Sequence, residues 1–140
     1  MKLYITKVTR YARSQVLPKS ENAATREINR AADELNASNT EVFVVLEENV
    51  VVGAMSLTVN RSSDEVNISH IGSTVKGCGT MLIQYAVLLA QRRRLSKIRL
   101  CAYNSAVGFY LKLGFVRAPK HADGSSSNVL IKQVKNENKR

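Results

Sequence analysis

The sequence predicts a mixed α/β (α+β) fold in which an antiparallel meander runs on into a parallel strand–helix–strand crossover. Three observations carry this expectation. Val-rich segments joined by short polar turns follow one another from Glu41 to Ile71, the pattern of consecutive antiparallel strands. A long amphipathic stretch, Thr80–Arg93, then separates two strand-like segments, as a parallel crossover requires. Between strand and helix lies Lys76-Gly77-Cys78-Gly79-Thr80. Such a glycine-rich junction exposes backbone N–H groups on one concave surface and aims the positive end of a helix dipole at it.

Residues 2–9 alternate well enough for a first strand. From Ser20 to Leu35 the spacing of Ala24, Ile28, Ala31, Ala32 and Leu35 is helical, with Ser20 placed to cap and Asn36–Asn39 to terminate. Glu41–Leu46 and Val50–Val59 read as strands of a hairpin turning at Glu47-Glu48-Asn49. Arg61–Asp64 forms the next turn, and Glu65–Ile71 the third strand. The Thr80–Arg93 helix carries Met81, Leu82, Tyr85, Ala86, Leu88 and Leu89 as its apolar residues. Lys97–Ala102 returns to strand text. Ser105–Leu113 is a short helix stopped at Gly114. Phe115-Val116 begins another strand, Ala118–Ser127 is a loose polar stretch, and Asn128–Val134 is the last strand. Residues 1–135 are expected to form a single domain, with 136–140 a charged, frayed tail.

Composition narrows the function classes. The chain has 140 residues, 44% of them hydrophobic, without Trp, so one mostly aliphatic core is expected. No apolar run is long enough to span a membrane. Charges interrupt the N-terminus too often for a secretory segment, so the expected compartment is the cytoplasm. Cys78 and Cys101 lack metal-ligand spacing and stand apart from His70 and His121, so no metal is expected and the thiols read as reduced and mostly structural. The net charge of +10 favours an anionic partner: nucleic acid, a membrane surface or a polyanionic cofactor.

The glycine turn can be tested against phosphate-binding motifs. A P-loop begins at Gly72 and reaches Gly77 on schedule, but Cys78 and Gly79 stand where Lys and Ser/Thr are needed. A dinucleotide fingerprint needs glycine where Leu82 stands and an acid near position 99, where the neighbourhood is basic. Neither motif fits. A third pattern covers more of the chain. Gly77 and Gly79 at the start of a long helix are followed, about thirty residues on, by Asn104-Ser105-Ala106-Val107-Gly108-Phe109-Tyr110 and then Gly114-Phe115. Over roughly residues 41–117 the sequence resembles the GCN5-related N-acetyltransferase family. Two features depart from the family pattern: Thr74 stands where Arg or Gln usually leads the turn, and Asn104 is one residue closer to Ala106 than the commonest spacing.

The resemblance implies a sheet with a splayed parallel pair and acetyl-CoA as co-substrate. Backbone N–H groups from Val75 through Lys76, Gly77, Cys78 and Gly79 to Thr80 would bind its pyrophosphate. His70, Ile71 and Gly72 would line the pantetheine arm, opposite Leu100–Tyr103. It also implies Asn104 beside the cofactor, and Tyr110 as the general acid that protonates the leaving thiolate, a role suited to a phenol of pKa about 10. An N–H near Ile71 would stabilise the oxyanion. Phe109 is expected in the core. His70 stands either as a general base or as a structural or cofactor-lining histidine, with Glu65 and Glu41 as other bases acting through water. The expected reaction is direct attack of a primary amine on the thioester. The acceptor is a small molecule or a protein amine, and the chain a monomer or homodimer that contacts no membrane. Two alternatives stay open: a toxin-like enzyme acetylating aminoacyl-tRNA, with RNA or an acidic protein on the basic surface, and a non-catalytic acetyl-CoA-binding regulator.

Overall fold

In the computed structural model, which describes residues 2–8, 23–33, 39–119 and 128–135, seven strands form one mixed sheet. The strands are β1 (Leu3–Lys7), β2 (Thr40–Glu47), β3 (Val50–Asn60), β4 (Glu65–Ser73), β5 (Lys97–Cys101), β6 (Val116–Arg117) and β7 (Val129–Gln133). Their order is β1-β2-β3-β4-β5-β7-β6, and every neighbouring pair is antiparallel except β4 and β5. The helices are α1 (Ala23–Asp33), α2 (Cys78–Arg92) and α3 (Val107–Lys112), the last entered through a 3-10 turn at Asn104–Ala106. The expected cap at Ser20, Leu35, His121, most of the Ala118–Ser127 stretch and the tail lie outside the described residues.

The turns explain the meander. Glu48 and Asn49 take φ of 49° and 68°, so Glu47 and Val50 close a two-residue hairpin loop whose twist matches that of the strands. At the next turn, Asn60 Oδ1 accepts from the Ser62 and Ser63 amides at 3.1 and 3.3 Å. β6 is only two residues long, and β7 lies between it and β5.

Alternation along the strands supplies both faces of the sheet with apolar side chains. Val42, Val44 and Ala54 meet Ile28 and Ala31 of α1 on one face. Phe43, Val45, Met55 and Leu57 meet Leu82, Ile83, Ala86 and Leu89 of α2 on the other. Leu82 is fully buried, a burial that stabilises the fold by about 2 kcal/mol.

Two irregularities interrupt the regular ladders. The β2–β3 register slips so that Val52 has no partner between Val51 and Gly53. The β3–β4 register slips so that Ser69 has none between Ile68 and His70. Each is a one-residue bulge. Beyond the second, β4 and β5 part: their parallel pairing runs only from Glu65↔Lys97 to Ile68↔Leu100, while β4 continues to Ser73.

Candidate active site

The glycine turn begins on the first bulge. Thr74 donates both its amide, at 2.8 Å, and its hydroxyl, at 3.1 Å, to the Val52 carbonyl. A bulge carbonyl released from the strand ladder is thus satisfied by the residue that departs from the family pattern. Gly53 follows with no side chain because a Cβ there would overlap Cys78 Sγ. The turn closes with Cys78 N–H donating to Val75 O at 3.1 Å, and Gly77 caps α2 at φ 88°, a left-handed conformation that favours glycine. The α2 ladder begins with Met81 N–H donating to Gly77 O. The amides of Gly79 and Thr80 fall before it, at the positive end of a fifteen-residue helix.

A cavity of about 470 Å³ opens beside these amides. Ile71, Gly72, Val75, Lys76, Gly77, Gly79, Thr80 and Tyr110 line it, together with Glu27, Phe109 and Ser105. The structure therefore gathers most of the sequence-predicted residues around one space. Two lie outside it. Cys78 turns its thiol inward beneath Gly53, where burial pushes its pKa up to about 11. Asn104 is exposed and accepts from Asn128 Nδ2 at 2.6 Å, which ties the 3-10 turn to the start of β7. Phe109 is not a core residue. It is 40% exposed, and its Cζ would stand 3.2 Å from a Cβ on Gly79. Glycine there keeps the aromatic ring and the helix start in close approach.

Tyr110 sits where α3 ends. Gly114 takes φ 95°, and the Phe115 amide donates back to Tyr110 O at 3.1 Å, so the chain reverses sharply after the helix. The Phe115 ring packs edge-on against Tyr110 at 5.6 Å and Phe109 does so at 5.0 Å. This holds the phenol between two rings, buried to 7% exposure. Burial pushes its pKa up to about 12, with the negative charge of Glu27 adding to the effect. The group stays protonated at neutral pH.

A second, smaller space of about 70 Å³ occupies the split between β4 and β5, lined by His70, Ile71, Leu100, Cys101, Tyr103 and Tyr110 among others. Val66 and Ile68 face α2. Unbroken alternation would turn residue 70 the same way. The bulge at Ser69 reverses the alternation, and His70 meets α1 instead, with Nδ1 3.5 Å from Glu27 Oε1. Glu27 also accepts from Arg30 Nη1 at 3.0 Å. Glu27 was not legible as a site residue, because a charged helix position beside two arginines reads as solvated surface. Its carboxylate is nevertheless only 14% exposed.

The other candidate bases lie elsewhere. Glu41 is held by Arg93 through two contacts, one of 2.7 Å from Nη2, and by Lys7 at 3.1 Å, far along α2 from its glycine start. Glu65 is buried at the opposite end of β4 from Ser73, paired in register with Lys97. Among the described residues no cluster of three or more His, Cys, Asp or Glu could hold a metal ion, and no helix is long and apolar enough to cross a membrane.

A mixed sheet parted after a parallel pair, with a glycine turn and a buried tyrosine at the parting, defines an acyltransferase-type architecture. The sequence model of the Acetyltransferase (GNAT) family matches residues 8–115, and the chain belongs to that family. Solved structures agree on the fold. An IAA acetyltransferase from Bacillus cereus superposes with a TM-score of 0.64 at 20% identity, covering 95% of this chain and 100% of that one. The PaiA N-acetyltransferase from Thermoplasma acidophilum, in complex with coenzyme A, gives 0.65 at 13% identity, covering 95% and 99%. A KacTA–DNA complex gives 0.72 at 15% identity, covering 94% and 93%. No curated protein sequence matches the chain.

Proposed function

We propose that the protein is an N-acetyltransferase that uses acetyl-CoA and transfers its acetyl group directly to a primary amine. The observation that carries this reading is Tyr110, a buried, protonated phenol lining both the 470 Å³ cavity and the strand split. The cavity fits the donor. Gly79 and Thr80 offer unengaged first-turn amides for the pyrophosphate, and Lys76 on the lining adds a cation. The β4 backbone beyond Ile68 has lost its β5 partner and can pair with an amide-bearing arm. That the solved Thermoplasma relative holds coenzyme A on the same fold supports the assignment.

Acetyl-CoA supplies an activated acyl thioester when bound. Tyr110 would hold the proton that the departing sulfur takes up. His70 and Glu27, 3.5 Å apart, would draw the proton from the incoming amine. Asn104, bonded to Asn128, shapes the turn before α3.

Tyr110→Phe is expected to lower kcat about 100-fold, the usual scale of a lost general acid, with the KM for acetyl-CoA little changed. Release of free CoA thiol with a panel of amines measures it, and unchanged turnover would overturn the acid assignment. The alternative of an acceptor carried on RNA draws on the +10 charge and on exposed Arg92 and Arg94. It predicts tRNA binding that weakens steeply with salt; binding that is absent or indifferent to salt excludes it.

A further inference from the structure

We infer that the acceptor amine also carries an anionic group, a carboxylate or a phosphate, which a cavity lined by Arg26 and Arg30 holds while Glu27 receives the amine end. The inference rests on the acetyl-transfer reading above and names the substrate class of that site.

The cavity measures about 320 Å³ and is lined by Arg26, Glu27, Arg30, Tyr103 and Ser105. Its size suits a small molecule. Glu27 lines this space, the strand split and the large cavity alike. Three openings thus meet at one carboxylate near Tyr110. The α1 cavity shares Glu27, Tyr103 and Ser105 with the large cavity, so an acceptor seated there borders the reacting region.

The charges in this cavity are unbalanced. Among the described residues Glu27 contributes the only carboxylate of its lining, and Arg26 and Arg30 contribute two guanidiniums. Glu27 engages Arg30 at 3.0 Å, and the same Arg30 Nη1 donates to Tyr103 Oη at 3.1 Å. Among the described residues no other group takes the remaining donors of the Arg30 fork, which can meet a ligand. Arg26 stands four residues earlier on the same helix face, exposed, and no carboxylate among the described residues pairs with it. A polyamine would bring more positive charge to this pair. A simple alkylamine would leave one guanidinium without a counter-charge. An amine bearing a carboxylate or phosphate satisfies both ends, because guanidinium forks match paired anionic oxygens. In the transfer the N–C bond forms as the C–S bond breaks. The proton lost by the amine passes to the Glu27–His70 pair, and the sulfur takes the proton of Tyr110.

Matched amines test this. β-Alanine and phosphoethanolamine are compared with n-propylamine and ethanolamine, and with spermidine, by release of CoA thiol. At least one anionic member is expected to show a kcat/KM about tenfold or more above its neutral partner, the scale of one charge-assisted hydrogen bond. Which member gains tells carboxylate from phosphate. Arg26→Gln, and Arg26→Gln with Arg30→Gln, should erase the preference while the KM for acetyl-CoA stays unchanged. Neutral partners that react equally well, or spermidine reacting best, overturn the inference. Binding of N-acetyl-β-alanine and N-acetyl-phosphoethanolamine, followed by saturation-transfer NMR, reads the subsite without turnover: binding lost in the double variant supports it, and no binding overturns it. Calorimetric titration with acetyl-CoA separates the two readings. Failure to bind acetyl-CoA sinks the donor assignment, whereas acetyl-CoA binding without any anionic preference sinks only the acceptor class.

Discussion

Tyr110 shows how much chemistry one residue inherits from its surroundings. In water a phenol ionises near 10; between Phe109 and Phe115 and near Glu27, Tyr110 is raised to about 12. The raised value keeps the proton available across the whole neutral and moderately alkaline range. The kcat profile is therefore expected to show no alkaline loss near pH 10 that disappears in Tyr110→Phe; such a limb would contradict the assignment. The tyrosine was legible from Ala106-x-x-x-Tyr110 and Gly114-Phe115. Its acidic neighbour was not, because Glu27 lies 83 positions earlier on a helix whose facing was open. Phe109 was misplaced for the opposite reason. An aromatic beside an apolar helix stripe reads as core, and only the missing Cβ of Gly79 shows where its ring rests.

At the scale of elements, the turn and the two bulges carry the site together. The sequence marked the glycine turn as a helix start at Thr80, yet the helix begins at Cys78 because Gly77 can take a positive φ and cap it. Gly77→Ala meets no neighbour within 4 Å, so its cost is backbone strain alone. It is expected to destabilise by about 1–2 kcal/mol and to weaken acetyl-CoA binding. Gly108→Ala, equally unobstructed and without a positive φ, is expected to be neutral or slightly stabilising. Thermal melts and acetyl-CoA titration of both variants check this; equal effects would show that the conformation of Gly77 is not what matters. The position of neither bulge was legible from the residues themselves. Val52 and Ser69 are ordinary strand residues, and a register slip is settled by pairing with the neighbouring strand rather than by local preference.

Across the whole molecule, the meander and the crossover were legible because hairpin turns and helical periodicity are local signals. The insertion of β7 between β5 and β6 was not, since an edge strand of two residues, Val116 and Arg117, carries no pattern. Long-range ionic links tie the far end of α2 to the sheet. The hydrogen bonds from Arg93, with Lys7 beside it, hold the Glu41 carboxyl below its ordinary value, against the opposing effect of burial. A carboxylate with a lowered folded pKa stabilises the fold above its unfolded value of 4.5 and loses that contribution as pH falls through the lowered one. Glu41→Gln is expected to cost about 1 kcal/mol at pH 7, modest because the pair is partly solvated, and the gap to the parent should close on acidification. Melting curves at pH 7 and pH 3 check the sign; a gap that does not shrink would mean that charge is not its origin.

The parting of β4 from β5 has a mechanical side. Past Ile68 each strand is held by a single neighbour, β4 by β3 and β5 by β7. The sheet is two panels sewn along a seam of four residue pairs. A molecule that bonds to both lips beyond the seam lengthens the stitching, so binding in the split also braces the two panels against each other.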